Sequence, residues 1–393
     1  MIFITKRSYG RLVTHNKMQQ ILIHIIPIYF AFYAFLSTCY RTRWHWSIKA
    51  VMCLTLLVSS QYAALSRAFY YGFDGLIPHT ALVIFAWLFT VELFLVGFCL
   101  LKDIFLAVRF FKTKTPYVNR TRISIYKLTL ALTVATFANY TALKQPPVTE
   151  QTIWIKNLPP AFDGYRIAQL SDIHTSALLG HDRNEKIVTR TNALAPDLIV
   201  ITGDLVDGSL AARQNDLLPF AQFHARDGVI AIEGNHEHYV AHDDWRHFFP
   251  TLGLRWLENE HVFIEKAGQR LAIVGITDPM AKRYDRQEPS LGKALKGIPS
   301  EVPVILLSHQ VKRAPEFAQW PIALQLSGHT HGGQIFGLHW LAQSLNNGFV
   351  KGLYKVEDMQ LYINRGTSLW FGFPIRLGID PEITLITLKR TLQ

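Results

Sequence analysis

Five apolar runs in the second half of the 393-residue chain each lead into residues that can bind a metal ion. Arg166–Leu170 runs into Ser171-Asp172-Ile173-His174, and Asp197–Thr202 into Gly203-Asp204. Val229–Glu233 runs into Gly234-Asn235-His236-Glu237, Pro303–Leu307 into Ser308-His309, and Ile322–Leu326 into Ser327-Gly328-His329-Thr330-His331. Asp172, His174, Asp204, Asn235, His309, His329 and His331 together supply carboxylate oxygens, one amide oxygen and four imidazoles. A single divalent ion usually takes about four to six ligands, and the set lacks the thiolates of a structural zinc site. Two ions about 3.5–4 Å apart, bridged by a shared carboxylate, would use all seven residues.

Two such ions suit attack of hydroxide on a phosphate ester. They lower the pKa of a bridging water from about 15.7 towards ~7 and neutralise the phosphoryl oxygens. Asp-x-His puts Asp172 and His174 on one side of an extended segment, because strand side chains alternate, and His329 and His331 repeat the arrangement. By the same alternation His236 points away from Asn235, towards a substrate. It is the candidate to stabilise or protonate the leaving oxygen, a step typically worth about 10²–10⁴-fold.

Taken singly, Asp-x-His or Gly-Asp is more often a helix cap or a turn. The weight comes from five blocks, each at the end of a short β-branched run. Such runs, bounded by turn residues and joined by Leu271–Gly275 and Ile383–Leu388, read as buried strands alternating with helices in an α/β or layered α+β domain. Ligands of open α/β sheets bind beyond the carboxyl ends of the strands, so five tips can share one crevice. Glycines at 203, 234, 328, 332 and 333 allow the sharp turns this needs.

The first half has a different texture. Four apolar runs, roughly 21–40, 50–66, 81–101 and 123–143, each approach the ~20 residues that a helix needs to cross a membrane. Residues 1–145 therefore read as a membrane region and 150–393 as the catalytic domain, joined by a linker over 141–150 with Pro146-Pro147. Residues 1–150 hold 16 Lys and Arg against 4 Asp and Glu, whereas 151–393 hold 24 against 25. The basic excess thus belongs to the membrane region, and the near-neutral second half argues against a nucleic-acid partner. Trp44, Trp46, Tyr70 and Tyr71 sit near run ends, as interfacial rings do. With four spans, the first and third loops hold more Lys and Arg than the basic tail and second loop, which favours an outside catalytic domain. Cys39, Cys53 and Cys99 all lie in the apolar part, so neither a disulfide framework nor a thiolate zinc site is expected. No cleavable signal peptide is evident. Glu92, midway through the third run, is a candidate functional acid with His24 and Gln61 as possible companions, or a helix–helix hydrogen bond within an anchor.

In these blocks the chain resembles the calcineurin-like metallophosphoesterases, whose motifs run Asp-x-His, Gly-Asp, Gly-Asn-His-(Asp/Glu), a lone His and Gly-His-x-His. All five stand here in order, with Glu237 where Asp is common. Ser327–Gln334, Asn364-Arg365-Gly366 and Pro381–Leu385 look like a bacterial membrane-associated or secreted subfamily. The resemblance spans about 150–393 and implies two mixed β-sheets sandwiched between helices. It implies one ion on Asp172, His174, Asp204 and His331, and a second on Asp204, Asn235, His309 and His329, with His236 catalytic. Mn, Fe, Zn, Co and Ni all suit such oxygen and imidazole ligands.

The expected activity is metal-dependent hydrolysis of a phosphomonoester, phosphodiester or pyrophosphate, with lipid-linked or cell-envelope esters favoured by the tethering. The expected location is the inner (cytoplasmic) membrane, multi-pass, with a periplasmic site. The alternatives are a metal-loaded scaffold or sensor, a nuclease, and a regulated transporter. His181, His224, His238, His242, His247 and His261 read as surface or supporting residues, with His238 the first candidate to support the site. Arg365 and Arg376 read as packing or carboxylate partners ahead of phosphate binders.

Overall fold

The computed structural model describes residues 17–40, 42–62, 64–66, 77–113, 120–370 and 372–391. Tyr70, Tyr71, Lys6, Arg7, Arg11, Arg41 and Lys114, used in the interfacial and orientation readings, lie outside them. The described chain forms two compact units, one of N-terminal helices (up to 66 and from Thr80 to Asn139) and one of residues 77–79 with everything from Tyr140 onward.

The N-terminal helices are α1 (Lys17–Phe35), α2 (Trp46–Ser59), α3 (His79–Thr113) and α4 (Arg120–Leu143), the last of which ends in the second unit. Two helical stretches, Trp46–Ser66 of 21 residues and His79–Lys112 of 34, are long and apolar enough to cross a hydrocarbon core; His24–Tyr40 is a shorter apolar stretch. After α1 the backbone continues as one π-helical turn, Leu36–Tyr40, which loosens the usual hydrogen-bond ladder. Lys127 of α4 compensates there, donating to Ser37 O at 3.0 Å and to Thr38 Oγ1 at 3.2 Å. Glu92 is buried and accepts from Ser59 of α2 at 2.5 Å, while His24 and Gln61 bond each other at 3.1 Å. The companion of Glu92 is thus Ser59, across a helix–helix contact, and not His24 or Gln61.

The second unit is a four-layer sandwich. One six-stranded sheet has the order β1-β12-β2-β3-β4-β5, and the other β10-β11-β9-β8-β7-β6. The first comprises β1 (Val148–Ile155), β2 (Arg166–Leu170), β3 (Leu198–Thr202), β4 (Val229–Ile232), β5 (Leu254–Trp256) and β12 (Ile383–Arg390). The second comprises β6 (Glu260–Lys266), β7 (Gln269–Gly275), β8 (Val304–Leu307), β9 (Leu324–Ser327), β10 (Gly352–Val356) and β11 (Met359–Ile363). β2 through β5 run parallel, as do β7, β8, β9 and β11, while β12, β6 and β10 pair antiparallel to their neighbours β2, β7 and β11. Two mixed sheets flanked by helices is the architecture expected from the motifs.

The alternation of each strand explains why the runs are apolar throughout. In β3, Leu198 and Val200 face the second sheet, while Ile199 and Ile201 face helices; β8 divides likewise, with Ile305 and Leu307 inside and Val304 and Leu306 outside. Helices α5 (His181–Asn192), α6 (Leu210–Leu217) and α7 (His242–Phe248) contribute Ile187, Val188, Leu217 and Trp245 to the outer cover of the first sheet. α5 buries Arg183, Asn184, Ile187, Val188 and Thr191, one stripe at helical spacing. The short α8 (Leu291–Leu295) and α9 (Ala314–Phe317) cover the second sheet with Leu291 and Phe317. α10 (His339–Leu345) buries nothing.

β1 starts at Val148, inside the span read as linker, and pairs along its whole length with β12. Only 144–147 separate α4 from the sheet. Ile305 is fully buried between the sheets. Ile305→Ala is expected to cost about 2–5 kcal/mol, read as a lower unfolding midpoint of the detergent-solubilised chain.

Candidate metal centre

The tips of β2, β3, β4, β8 and β9 converge, and the backbone turns into the left-handed region after β2, β3 and β9. Asp172, His174, Asp204, His329 and His331 all have positive φ, between 48° and 70°. Non-glycine residues adopt that region at a cost of order 1 kcal/mol or more, and the surroundings must impose it. They do so by crowding. A Cβ on Gly328 would collide with Ser171 Oγ and the Asp172 carboxylate, and one on Gly203 would lie 2.7 Å from both Gly234 N and His309 Nδ1.

Asp172, His174 and His331 bring donor atoms within 4.8 Å of one another, and so do Asp204, His309 and His329. In the first group His174 Nε2 lies 3.1 Å from His331 Nε2, which is 3.3 Å from Asp172 Oδ1. In the second, His309 Nε2 lies 3.1 Å from Asp204 Oδ2 and 3.3 Å from His329 Nδ1. Asp204 Oδ2 is also 3.7 Å from His174 Nε2, so one carboxylate spans both groups. Asn235 donates through Nδ2 to Tyr239 OH at 3.0 Å, and its buried Oδ1 has no hydrogen-bond partner.

These features fit cations. Imidazole nitrogens about 3 Å apart repel unless a proton or an ion lies between them, and an orphaned amide oxygen is costly unless it has a ligand. The far sides of two rings are fixed as such a site requires. His309 Nδ1 donates to Thr202 O at 2.8 Å and His174 Nδ1 to Asp207 Oδ1 at 3.0 Å, which turns each Nε2 towards the cluster. Burial, with His309 beside it, lowers His329 to about 4, and burial, with His174 and Arg376, holds His331 well below the usual range. Both rings are therefore neutral, as ligands must be. Burial pushes the Asp204 carboxyl up, but His309, His236 and His174 outweigh it and hold it well below the carboxylate range.

His236 sits at the mouth. Its Nδ1 donates to Asp207 Oδ1 at 2.6 Å, its backbone N–H to Asp204 Oδ1 at 2.8 Å, and its Nε2 is 4.0 Å from Asp204 Oδ2. Burial disfavours its charge, yet Asp204 and Asp207 raise it to about 9. It lines a cleft of about 290 Å³ with Asp204, Asn235, His329, His331, Trp370 and Phe373.

All eight expected site residues therefore lie together, and several supporting ones escaped the motif reading. Asp207 holds both His174 and His236, three residues past Asp204 in Gly-Asp-Leu-Val-Asp. Glu237, noted only as a departure, is fully buried and accepts from Asp204 N, Leu205 N, Val206 N and Gly234 N at 2.6–3.3 Å. His238, the first supporting candidate of the sequence reading, and His242 both bond the buried Glu233, at 3.0 and 2.8 Å. Arg365 pairs with Glu382 at 2.6 Å, and the buried Arg376 donates to the carbonyls of Arg365 and Ser368.

A calcineurin-like phosphoesterase family model matches residues 165–333, from β2 through the last histidine of the cluster. A transmembrane protein with a metallophosphoesterase domain from Danio rerio is 35% identical over 278 residues, 68% of this chain and 63% of that one. The metallophosphoesterase YkuE of Bacillus subtilis is 30% identical over 262 residues, covering 65% of this chain and 90% of its own. The crystal structure of a 5′-nucleotidase precursor from Thermus thermophilus superimposes with a TM-score of 0.39 and 16% identity, over 57% of this chain and 54% of that one. The chain belongs to the calcineurin-like metallophosphoesterases. It spans less than two thirds of the length of the Danio rerio relative and of its Bos taurus counterpart, 63% and 64%.

Glu237→Gln places a second donor against backbone N–H groups that now share a carboxylate. A loss of about 2 kcal/mol is expected, seen as a lower midpoint in chemical unfolding followed by circular dichroism.

Proposed function

We propose that the chain is a membrane-anchored hydrolase of phosphate esters acting at a dinuclear centre. One ion is assigned to Asp172, His174, Asp204 and His331, and the other to Asp204, Asn235, His309 and His329. The observation that carries this reading is the Asp204 carboxylate, 3.1 Å from His309 and 3.7 Å from His174, at the junction of two donor groups. When bound, two ions would acidify the attacking water and neutralise the phosphoryl oxygens. Their identity is open among Mn, Fe, Zn, Co and Ni, which all suit these donors.

The residues at the cleft divide the remaining work. Asp207 fixes His236 in the orientation that exposes Nε2, and Nε2–H donates its proton to the departing oxygen. Asn235 keeps its amide oxygen towards the cluster because Tyr239 holds the opposite end of the group. Trp370 and Phe373 form an apolar wall that suits the organic part of an ester. Phosphomonoesters, phosphodiesters and pyrophosphates all fit this chemistry, and anchoring favours a lipid-linked one. The four N-terminal helices are assigned as membrane spans of an inner membrane, with the catalytic domain on the extracytoplasmic side.

The test uses purified full-length protein with bis-p-nitrophenyl phosphate and p-nitrophenyl phosphate, chelated and Mn-loaded. Metal-dependent turnover lost in Asp204→Asn supports the reading, and a preparation that retains no metal and shows no turnover refutes it. About two ions bound with neither ester hydrolysed would favour the scaffold alternative. His236→Ala is expected to retain metal and lose about 10²–10⁴-fold in kcat. Asp207→Asn should show a smaller kcat loss of the same kind, about tenfold or more, with metal content by elemental analysis separating it from a ligand defect.

A further inference from the structure

β4 and β7 belong to different sheets, yet their ends touch. A Cβ on Gly275, the last residue of β7, would lie 2.8 Å from the Ile232 side chain at the end of β4 and 2.5 Å from that of Leu257. Just past this contact stand buried polar residues, Glu233 after β4 and Thr277 and Asp278 after β7. A buried carboxylate is tolerated only where donors or opposing charges meet it. Glu233 Oε1 accepts from Asp278 N–H at 2.8 Å and from His238 Nε2 at 3.0 Å, and its Oε2 accepts from His242 Nε2 at 2.8 Å.

Asp278 carries the connection on to β8. Its carboxylate accepts from Gln310 Nε2 at 2.9 and 3.1 Å and from Met280 N–H at 2.8 Å. Gln310 directly follows His309, and Glu233 stands two residues before Asn235. A line of side chains, Glu233–Asp278–Gln310, thus ties the Asn235 loop of one sheet to the His309 loop of the other. Asn235 and His309 are both assigned to the second ion, and none of the bonds just named reaches Asp172, His174 or His331.

Glu233, His238 and His242 also bring donor atoms within 4.8 Å of one another, the composition of an ion site in its own right. The hydrogens argue against that use. Arg286 Nη1 donates to His238 Nδ1 at 3.3 Å and to His238 O at 3.2 Å. A guanidinium has no acceptor, so Nδ1 of His238 holds the lone pair and Nε2 the hydrogen that Glu233 accepts. A ligating Nε2 would need the reverse, with an N–H facing Arg286. The two rings stack at 4.6 Å with 12° between their planes, which keeps both N–H groups on one carboxylate. The cluster is the anchored end of the line.

We propose that Glu233, Asp278 and Gln310 are positioning residues for the second ion alone, setting Asn235 and His309 at the separation that ion needs. The proposal rests on the dinuclear reading and deepens it. Asn235 offers a neutral amide oxygen, without a hydrogen-bond partner, where the other donors are carboxylates and imidazoles. Its placement therefore depends on the backbone that Glu233 anchors. Partners that orient metal-holding groups typically contribute about 10- to 100-fold in affinity.

The test strips the detergent-solubilised full chain with chelator and titrates it with Mn and, separately, with Co. Bound ions are counted by elemental analysis, and pairing of Mn is read by electron paramagnetic resonance. Gln310 is half-buried in the loop after β8, so Gln310→Leu removes the bonds to Asp278 without opening the core, and circular dichroism checks the fold. This variant should keep one ion at native affinity and bind the other about 10- to 100-fold more weakly. At limiting Mn its spectrum should be that of an isolated ion, and excess Mn should restore the coupled pair. Gln310→Asn, which keeps the amide but falls short of Asp278, should behave likewise. Native affinity for both ions in these variants overturns the proposal, and so does an equal weakening of both ions, which a merely structural loss would give. A third ion in the native chain that is lost in His242→Gln overturns it too, by making the cluster an ion site. A native chain that binds neither metal defeats the dinuclear reading and the proposal with it. Two ions in the native chain with unchanged variants defeat the proposal alone.

Discussion

One buried carboxylate organises the second unit. Asp204 reaches His309 and His174 through Oδ2 and takes the backbone N–H of His236 on Oδ1, so three strand tips depend on its position. Its own backbone is held by Glu237, which gathers N–H groups from the β3 and β4 loops onto a single carboxylate. A buried anion of this kind is tolerable only where opposing charge or donors surround it completely. The histidine-rich shell and the glycines that let it close are consequences of that requirement. The sheets supply the rigidity that keeps a strained cluster from relaxing.

The two-sheet architecture is what makes five distant segments meet. β2, β3 and β4 belong to one sheet and β8 and β9 to the other, and the inter-sheet core fixes their ends at one edge. Because Leu198, Val200, Ile305 and Leu307 interdigitate there, sliding one sheet over the other would separate the two groups of ligand-type residues. Packing far from the cleft therefore sets distances within it.

Much of this was readable from residues alone, for identifiable reasons. β2, β3, β4, β8 and β9 are buried on both faces, so they appear as uninterrupted apolar runs that point straight at the cluster. β1 and β10 lie at sheet edges and are half exposed, so Thr149 and Glu150 look like linker and the Gly352–Val356 strand carries no apolar run. Glu233, His238 and His242 share no spacing signature, because one faces the others only after the β4 loop turns into α7. Asp207 was harder still, since its role depends on two histidines from different strands. Polar residues that bind are marked by position after a strand, whereas residues that hold them are marked only by three-dimensional proximity.

β12 lies between β1 and β2 although it is the last strand of the unit to be made. The first sheet therefore stays split, with β1 unattached, until residues 383–390 arrive and insert. Glu382, one residue before β12, holds Arg365, and Gly366 and Ser368 next to it bond Glu382 and Asp172. Pairing across so long a stretch of sequence is slow to form. The sheet that carries three of the five strand tips is therefore closed on its β1 side only once residues 383–390 have been made and have inserted.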